Sequence, residues 1–296
     1  MTSPTHRPDA GFVASVVIPC YNVARTITEQ LEALSEQPLA SRLQVIVSDN
    51  RSDDGTAEVV RSRDWGFGEL LVVEASDSQT IAHARNVGIT VARSPAVLVC
   101  DGDDRVQENW VEAMLEALVD HDLVVGTLIP WDPVSGAVVP PDGAAESALP
   151  RWYGFLPSGV GASLAFRRHT WDAVGGFDES LSIGAEDTDF CWRVQLAGFT
   201  IGAAPNATIL YRLPPTMSMR YRKRFRDARS QVTLYVRYRD LGMPPVSSAK
   251  FVRRWASIVW RVTKIAHREQ RLQWWGDVGH ACGRLTGSVR ERVWYP

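Results

Sequence analysis

Four short segments of nearly uninterrupted apolar residues, 13–18, 43–47, 70–73 and 96–100, alternate with stretches of helical period, and this alternation constrains the fold more than any other feature of the chain. A run such as Val13-Ala14-Ser15-Val16-Val17-Ile18 offers no polar face to water, so it suits a strand covered on both sides. Between the first two runs, Ile27, Leu31 and Leu34 recur at i, i+4 and i+7, the spacing of a helix with one buried face. Helices are likewise expected over 56–63 and 81–91 and around Trp110, Met114 and Leu118. The first strand should break at Pro19, with Asn22 available as a helix cap. Strands joined by short helical crossovers predict a mainly parallel α/β sheet with helices on both faces. Ligands of such sheets bind beyond the carboxyl ends of the strands. Residues 19–22, 49–54 and 101–104 all fall at predicted strand ends, so they should line one crevice.

The 296 residues, 45% hydrophobic and 22% charged, fit one large globular domain with an appendage. No apolar stretch approaches the roughly 20 residues of a spanning helix. The first 11 residues carry prolines and polar groups where a signal peptide has its apolar core, so a flexible start and a cytoplasmic location are expected. Cys20, Cys100, Cys191 and Cys282 are widely separated and suit reduced, mostly packed thiols. Zinc-hydrolase, serine-hydrolase and P-loop signatures are missing. A cut after Arg212 exposes a strong asymmetry: residues 1–212 carry 14 Lys+Arg against 29 Asp+Glu, whereas residues 213–296 carry 18 against 5. Two functional units are expected.

Asp101, Asp103 and Asp104 crowd one turn at the end of a buried strand. Their mutual repulsion is costly unless a cation is present, and Mg²⁺ or Mn²⁺, hard and oxygen-seeking, is the natural occupant; a solvated loop, for which Asp and Gly are ordinary turn formers, is the alternative.

The ordered blocks Val17-Ile18-Pro19-Cys20-Tyr21-Asn22, Ser48-Asp49-Asn50-Arg51-Ser52-Asp53-Asp54-Gly55-Thr56, Ala84-Arg85-Asn86-Val87-Gly88 and Val99-Cys100-Asp101-Gly102-Asp103-Asp104 resemble those of a family 2 glycosyltransferase of the GT-A fold. Gly175-Gly176-Phe177-Asp178-Glu179 and Glu186-Asp187-Thr188-Asp189-Phe190-Cys191-Trp192-Arg193 resemble that family's later signature. The resemblance covers about residues 12–212 and implies a Rossmann-like GT-A domain followed by a basic helical extension, 213–296. It implies inverting transfer from a UDP, dTDP or GDP sugar to an acceptor hydroxyl, with Asp187 as general base. Asp101 and Asp103 match the family's D-x-D, Asp103 as metal ligand and Asp101 as ligand to the metal or the ribose. Asp49 corresponds to the acid at the base or ribose end, with Pro19, Tyr21 and Asn22 beside the base. Arg85 should pair with Asp49 or the diphosphate, and Glu186 should orient the acceptor. Asp189 reads as an ordinary i, i+4 partner of Arg193, and Gly88 as a site of close helix packing.

Two departures stand out. Residues 158–163 replace the Gly-Gly-Asn-like stretch common in relatives, so the sugar is unreadable. Tyr211-Arg212 stands where some relatives place a metal-binding histidine, and water or the charge of Arg212 would substitute. Trp131, Trp152 and Tyr153 could form an aromatic platform for a sugar or anchor a loop. The tail should be helical, broken near 242–245 and near Gly276. Trp255, Ile258 and Val262 lie beside Arg253, Arg254, Arg261 and Lys264, which suits either docking on the acidic domain or an anionic membrane face. The second alternative implies a peripheral contact and an acceptor that could be lipid-linked; nucleic-acid binding is not expected. A nucleotidyltransferase and a non-catalytic sugar-binding protein are the competing classes.

Overall fold

The computed structural model describes residues 11–139 and 149–296, so nearly all of the expected flexible start lies outside the described residues. The strands are β1 (Ala14–Cys20), β2 (Leu43–Asp49), β3 (Glu69–Glu74), β4 (Ala96–Cys100), β5 (Arg105–Val106), β6 (Leu123–Trp131), β7 (Ser163–Arg167) and β8 (Ile201–Arg212). They form one sheet in the order β3-β2-β1-β4-β7-β6-β8-β5. β1, β2, β3 and β4 pair in parallel as expected. Beyond β4 the sheet is mixed: β7 runs antiparallel to both β4 and β6, β6 and β8 are parallel, and β5 closes the edge antiparallel to β8.

Six helices flank the sheet: α1 (Ile27–Ser35), α2 (Thr56–Arg61), α3 (Ile81–Thr90), α4 (Trp110–Ala117), α5 (Arg168–Val174) and α6 (Glu186–Leu196). Strand alternation distributes side chains to the two faces. Val16 and Ile18 of β1 join Ile27, Leu31, Leu34, Trp110 and Met114 in one core. Val17, with Val97, Val99, Leu164 and Phe166, joins Ile89, Phe190 and Val194 in the other. Gly88 permits the contact of α3 with β1, since a Cβ there would lie 2.5 Å from Val17 Cγ1. Cys20, Cys100 and Cys191 are free and buried in these layers.

The expected break at Pro19 does not occur, because β1 continues to Cys20. β4 pairs only with residues 15–17, so Pro19 lies where that side of the strand has opened and its missing N–H leaves no ladder bond unmade. Asn22 is likewise no helix cap. It adopts φ 53°; its N–H donates to Ser52 Oγ at 2.9 Å and its Oδ1 accepts from Asp53 N at 2.9 Å. It ties the loop after β1 to the loop after β2.

After Arg212 come α7 (Met217–Tyr238), α8 (Ser248–Arg261) and α9 (Arg268–Arg290). The expected interruption at Gly276 is absent. That residue lies inside α9, and the chain turns at 262–267 instead. α7 and α9 run side by side in the same direction, brought close by a glycine seam. A Cβ on Gly279 would sit 2.4 Å from Tyr221 O, and one on Gly283 would sit 2.3 Å from Phe225 O. Asp189, fully buried, fastens α7 to the sheet domain. Its Oδ2 accepts from Arg193 Nε at 2.7 Å, the expected i, i+4 pair, and its Oδ1 accepts from Arg237 Nη1 and Tyr238 Oη, each at 2.7 Å. Trp192 extends the junction edge-on against Phe155 and Tyr238, at 5.0 and 4.9 Å between ring centres.

Candidate active site

A crevice of about 990 Å³ lies beyond the carboxyl ends of β1 and β4 and is walled on its far side by α6, α7 and α9. Seven of the expected site residues line it: Pro19, Tyr21, Arg85, Asp101, Asp103, Glu186 and Asp187. Asn22, Asp49 and Arg212 stand outside that wall. Asp49 Oδ1 accepts from Ser52 N at 3.3 Å within its own turn. Its neighbour Asn50 takes the crevice position, with its amide donating to Ser78 O and Thr80 O at 3.0 and 2.9 Å and its buried Oδ1 unpartnered.

Arg85 sits on α3, whose first turn is capped by Thr80 accepting from His83 N at 3.1 Å. It does not pair with Asp49. Buried to 1% exposure, its guanidinium is captured by two closer carboxylates: Nη1 donates to Glu186 Oε1 at 2.6 Å and Nη2 to Asp101 Oδ1 at 3.1 Å. One planar fork therefore links the acidic turn to the start of α6. Glu186 is committed to this ion pair, with its Oε2 buried and unpartnered.

The acidic turn is held from behind. Gln30 Nε2 donates to Asp101 O at 3.1 Å. Arg212 donates its backbone N–H to Asp104 Oδ1 and its Nε to Asp103 O, both at 2.7 Å, while Nη2 reaches Glu29 at 2.7 Å. Arg212 is thus spent on buttressing the turn. Asp103 opens on the crevice, yet loss of hydration and the neighbouring Asp101 charge raise its pKa to about 6. Asp104 is buried, and burial with repulsion from Asp101 and Asp103 pushes its pKa well up. Among the described residues no three such side chains form a ready-made metal centre. Asp101 and Asp103 still fit a hard divalent cation that takes few protein oxygens and completes its shell with phosphate oxygens and water.

Asp187 is the second residue of α6, which begins at Glu186 after Ala185, a residue in the left-handed conformation at φ 71°. That conformation costs a non-glycine residue about 1 kcal/mol and turns the chain into the helix at this point. Asp187 Oδ2 accepts from Gly161 N at 2.9 Å and Oδ1 from Thr188 N at 2.6 Å. The divergent stretch 158–163 therefore holds the expected base. Gly161 is required sterically as well, since a Cβ there would fall 2.2 Å from Arg85 Nη2.

Lys223 of α7 also lines the crevice, and individual sequence positions in the tail did not single it out. Burial alone would lower its pKa, but Tyr211, Asp227 and Asp101 outweigh burial and raise it, so it is a firm cation beside the acidic turn. Tyr153 faces the same space near Asp187, and burial together with the Asp187 charge raises its phenol pKa.

Glu186 supplies a pH test. Burial, then the Asp187 charge, raise its pKa from 4.5 to about 7 despite Arg85. The native state keeps this proton at pH values where the unfolded chain has lost it. The corresponding stability is present below about pH 4.5 and disappears as pH rises through about 7. The wild-type Tm is expected to rise from pH 8 to pH 6 by more than that of Glu186→Gln, and equal shifts would contradict the assignment.

Comparison with known proteins agrees with this geometry. Residues 15–169 match the family described as Glycosyl transferase family 2, and residues 96–276 match Glycosyl transferase family group 2. The chain is 26% identical over 226 residues to Glycosyltransferase AglE of Haloferax volcanii, covering 75% of this chain and 74% of AglE. It is 28% identical over 124 residues to Glycosyltransferase GlyG of Streptococcus pneumoniae, a match spanning 41% of this chain and 41% of GlyG. In fold it resembles the mannosyltransferase PcManGT of Pyrobaculum calidifontis, solved in complex with GDP-Man and Mn²⁺. That likeness has a TM-score of 0.66 at 19% identity and covers 97% of this chain and 89% of the other. With the family match spanning more than half of its length, the GT-A sheet in place and the family's motifs gathered around one crevice, the chain belongs to glycosyl transferase family 2.

Proposed function

We propose that the protein transfers a glycosyl group from a nucleoside diphosphate sugar to an acceptor hydroxyl, with inversion at the anomeric carbon and with the help of Mn²⁺ or Mg²⁺. The observation that carries this reading is the buried Arg85 fork, which fixes the Asp101–Asp103 turn and the Glu186-Asp187 pair on one crevice. A divalent ion held by Asp101 and Asp103 would neutralise the departing diphosphate. Lys223 adds a second positive charge on that side, favouring the nucleoside diphosphate as it leaves. Asn50 and Tyr21, which both line the crevice, suit the nucleoside. Asp187, held by two backbone N–H groups, accepts the proton of the attacking hydroxyl. A single base suffices for direct displacement, which needs no second catalytic carboxylate and gives inversion. Residues 12–212 supply the acidic turn and the base, and residues 213–296 add Lys223 and complete the wall.

Incubation with UDP, dTDP and GDP sugars and Mn²⁺ is expected to release nucleoside diphosphate from one of them. Pyrophosphate formed from a nucleoside triphosphate would instead identify a nucleotidyltransferase. Asp103→Asn should weaken Mn²⁺-dependent nucleotide affinity, whereas Asp187→Asn should leave it near normal and lower turnover by roughly 10²-fold or more. An Asp187→Asn enzyme with wild-type turnover would refute the base assignment.

A contact with an anionic membrane surface is part of the same proposal. No helix among the described residues is long and apolar enough to cross a membrane. α8, however, leaves Val252, Val259 and Trp260 more than 60% exposed, on a helix that also carries Lys250, Arg253 and Arg261. Apolar residues interleaved with cations suit a headgroup layer, where each cation contributes about 1 kcal/mol. The full-length protein should float with phosphatidylserine-containing vesicles at low salt, and Val259→Ser with Trp260→Ser should weaken that flotation. No flotation at low salt would leave α8 without this role.

A further inference from the structure

A second cavity, of about 350 Å³, adjoins the crevice. It is built from the loop at 152–154, the segment 244–246, α8, α9 and the last two residues, and it shares Trp152, Tyr153, Arg254 and Arg284 with the crevice. The shared residues mark the place where the side chamber opens on the catalytic space.

That junction holds an excess of positive charge, since the nearby carboxylate Asp277 is already paired with Arg261. Arg284 is 8% exposed; its guanidinium lies 4.3 Å over the Tyr295 ring, and its Nε and Nη1 have no hydrogen-bond partner. Arg254 approaches it from α8 and touches His280. Burial and the charges of Arg254, Arg224 and Arg284 keep the His280 imidazole neutral. Arg224 reaches the same space from α7, its stem against Gly276. None of these three arginines has a carboxylate within salt-bridge distance among the described residues. Other tail arginines do: Arg237 pairs with Asp178 and Asp189, Arg261 with Asp277, and Arg268 with Asp132. A buried cation without a carboxylate is costly, so Arg284 is not explained by packing alone, and the exposed Arg224 and Arg254 bring two more guanidinium groups to its side.

The side of the crevice on which they stand identifies the ligand. The acidic turn and Lys223 form the end that suits a donor diphosphate. Arg284 instead lines both spaces together with Tyr153, whose ring packs edge-on against Trp192 of α6 at 5.8 Å between ring centres. The cluster therefore adjoins α6, the helix that carries the general base, and lies on the side from which the attacking hydroxyl comes. Three guanidinium forks match the oxygens and double charge of a phosphate better than a single carboxylate.

We propose that the mouth of the chamber between α8, α9 and the 152–154 loop, where it opens on the crevice, is an acceptor subsite that binds a phosphate group of the acceptor through Arg284 and Arg254 of the shared wall and Arg224 of the crevice wall. This rests on the glycosyl-transfer reading above and specifies its acceptor. The phosphate could belong to a soluble phosphorylated glycan or to a lipid headgroup, and both present the same chemistry to the arginines. Trp152, half exposed at the junction, offers a flat face to the sugar or lipid that carries the phosphate.

The test titrates full-length, nucleotide-free protein with glycerol 3-phosphate and, separately, with dihexanoyl phosphatidic acid below its micellar concentration. Binding of at least one probe is expected, weakened about tenfold or more in Arg284→Met and in Arg254→Gln, the scale of a lost charged hydrogen bond. Affinity for nucleoside diphosphate with Mn²⁺ should stay unchanged in these variants. Arg224→Gln, at an exposed position, gives the same reading should Arg284→Met fail to fold. Binding of the glycerol phosphate identifies a soluble source, and binding of the lipid alone identifies a headgroup. Binding of neither probe, or binding lost in Lys223→Gln but retained in the arginine variants, would overturn the subsite. Donor hydrolysis in the absence of acceptor separates the two claims. If wild-type protein releases nucleoside diphosphate but binds neither probe, only the subsite fails; if it releases none with any donor, the glycosyl-transfer reading itself fails.

Discussion

The site depends on one buried ion pair network. Arg85, at 1% exposure, holds Asp101 with one nitrogen and Glu186 with another, across 101 residues of chain. Burying a guanidinium is expensive unless carboxylates surround it, and breaking such a pair leaves an uncompensated charge. Here the carboxylates come from two parts of the crevice wall, the turn after β4 and the start of α6. The same fork excludes a side chain at residue 161, which in turn allows the Gly161 N–H to reach Asp187. One residue thus sets the spacing of the Asp101–Asp103 turn and the Glu186-Asp187 pair.

The tail completes this arrangement. Its excess of positive charge is divided among three tasks. Arg237 and Arg268 pair with carboxylates of the sheet domain and dock the helices. Lys223 enters the crevice beside Asp101. Arg224, Arg254 and Arg284 stand at the mouth of the side chamber with no carboxylate in salt-bridge distance among the described residues. The α7–α9 glycine seam makes this possible, because backbones at close approach bring residues of both helices to one wall.

What the sequence disclosed was local. Continuous apolar runs marked β1 to β4, and the spacing of Ile27, Leu31 and Leu34 marked α1, because each depends only on which face is buried. The D-x-D turn and the Glu186-Asp187 pair were legible as motifs. The partner of Arg85 was not, since proximity to Glu186 arises from packing of α3 and α6 on the same face of the sheet. Asp49 was the more suggestive acid, yet its turn directs it to Ser52 N and leaves Asn50 on the crevice wall. Arg212 looked free to meet a ligand because its true partners, Glu29 and Asp104, are distant in sequence. Gly276 reads as a breaker in isolation, whereas in the fold it is where the stems of Arg220 and Arg224 cross α9.

The most direct test of this account is steady-state donor breakdown by Arg85→Lys. Lysine keeps the charge but cannot span Asp101 and Glu186 with a planar fork. A folded Arg85→Lys enzyme is predicted to lose about tenfold or more in kcat, in keeping with the cost of misplacing catalytic groups by a fraction of an ångström to one ångström. Wild-type kcat in that variant would contradict the claim that Arg85 sets the geometry of the site.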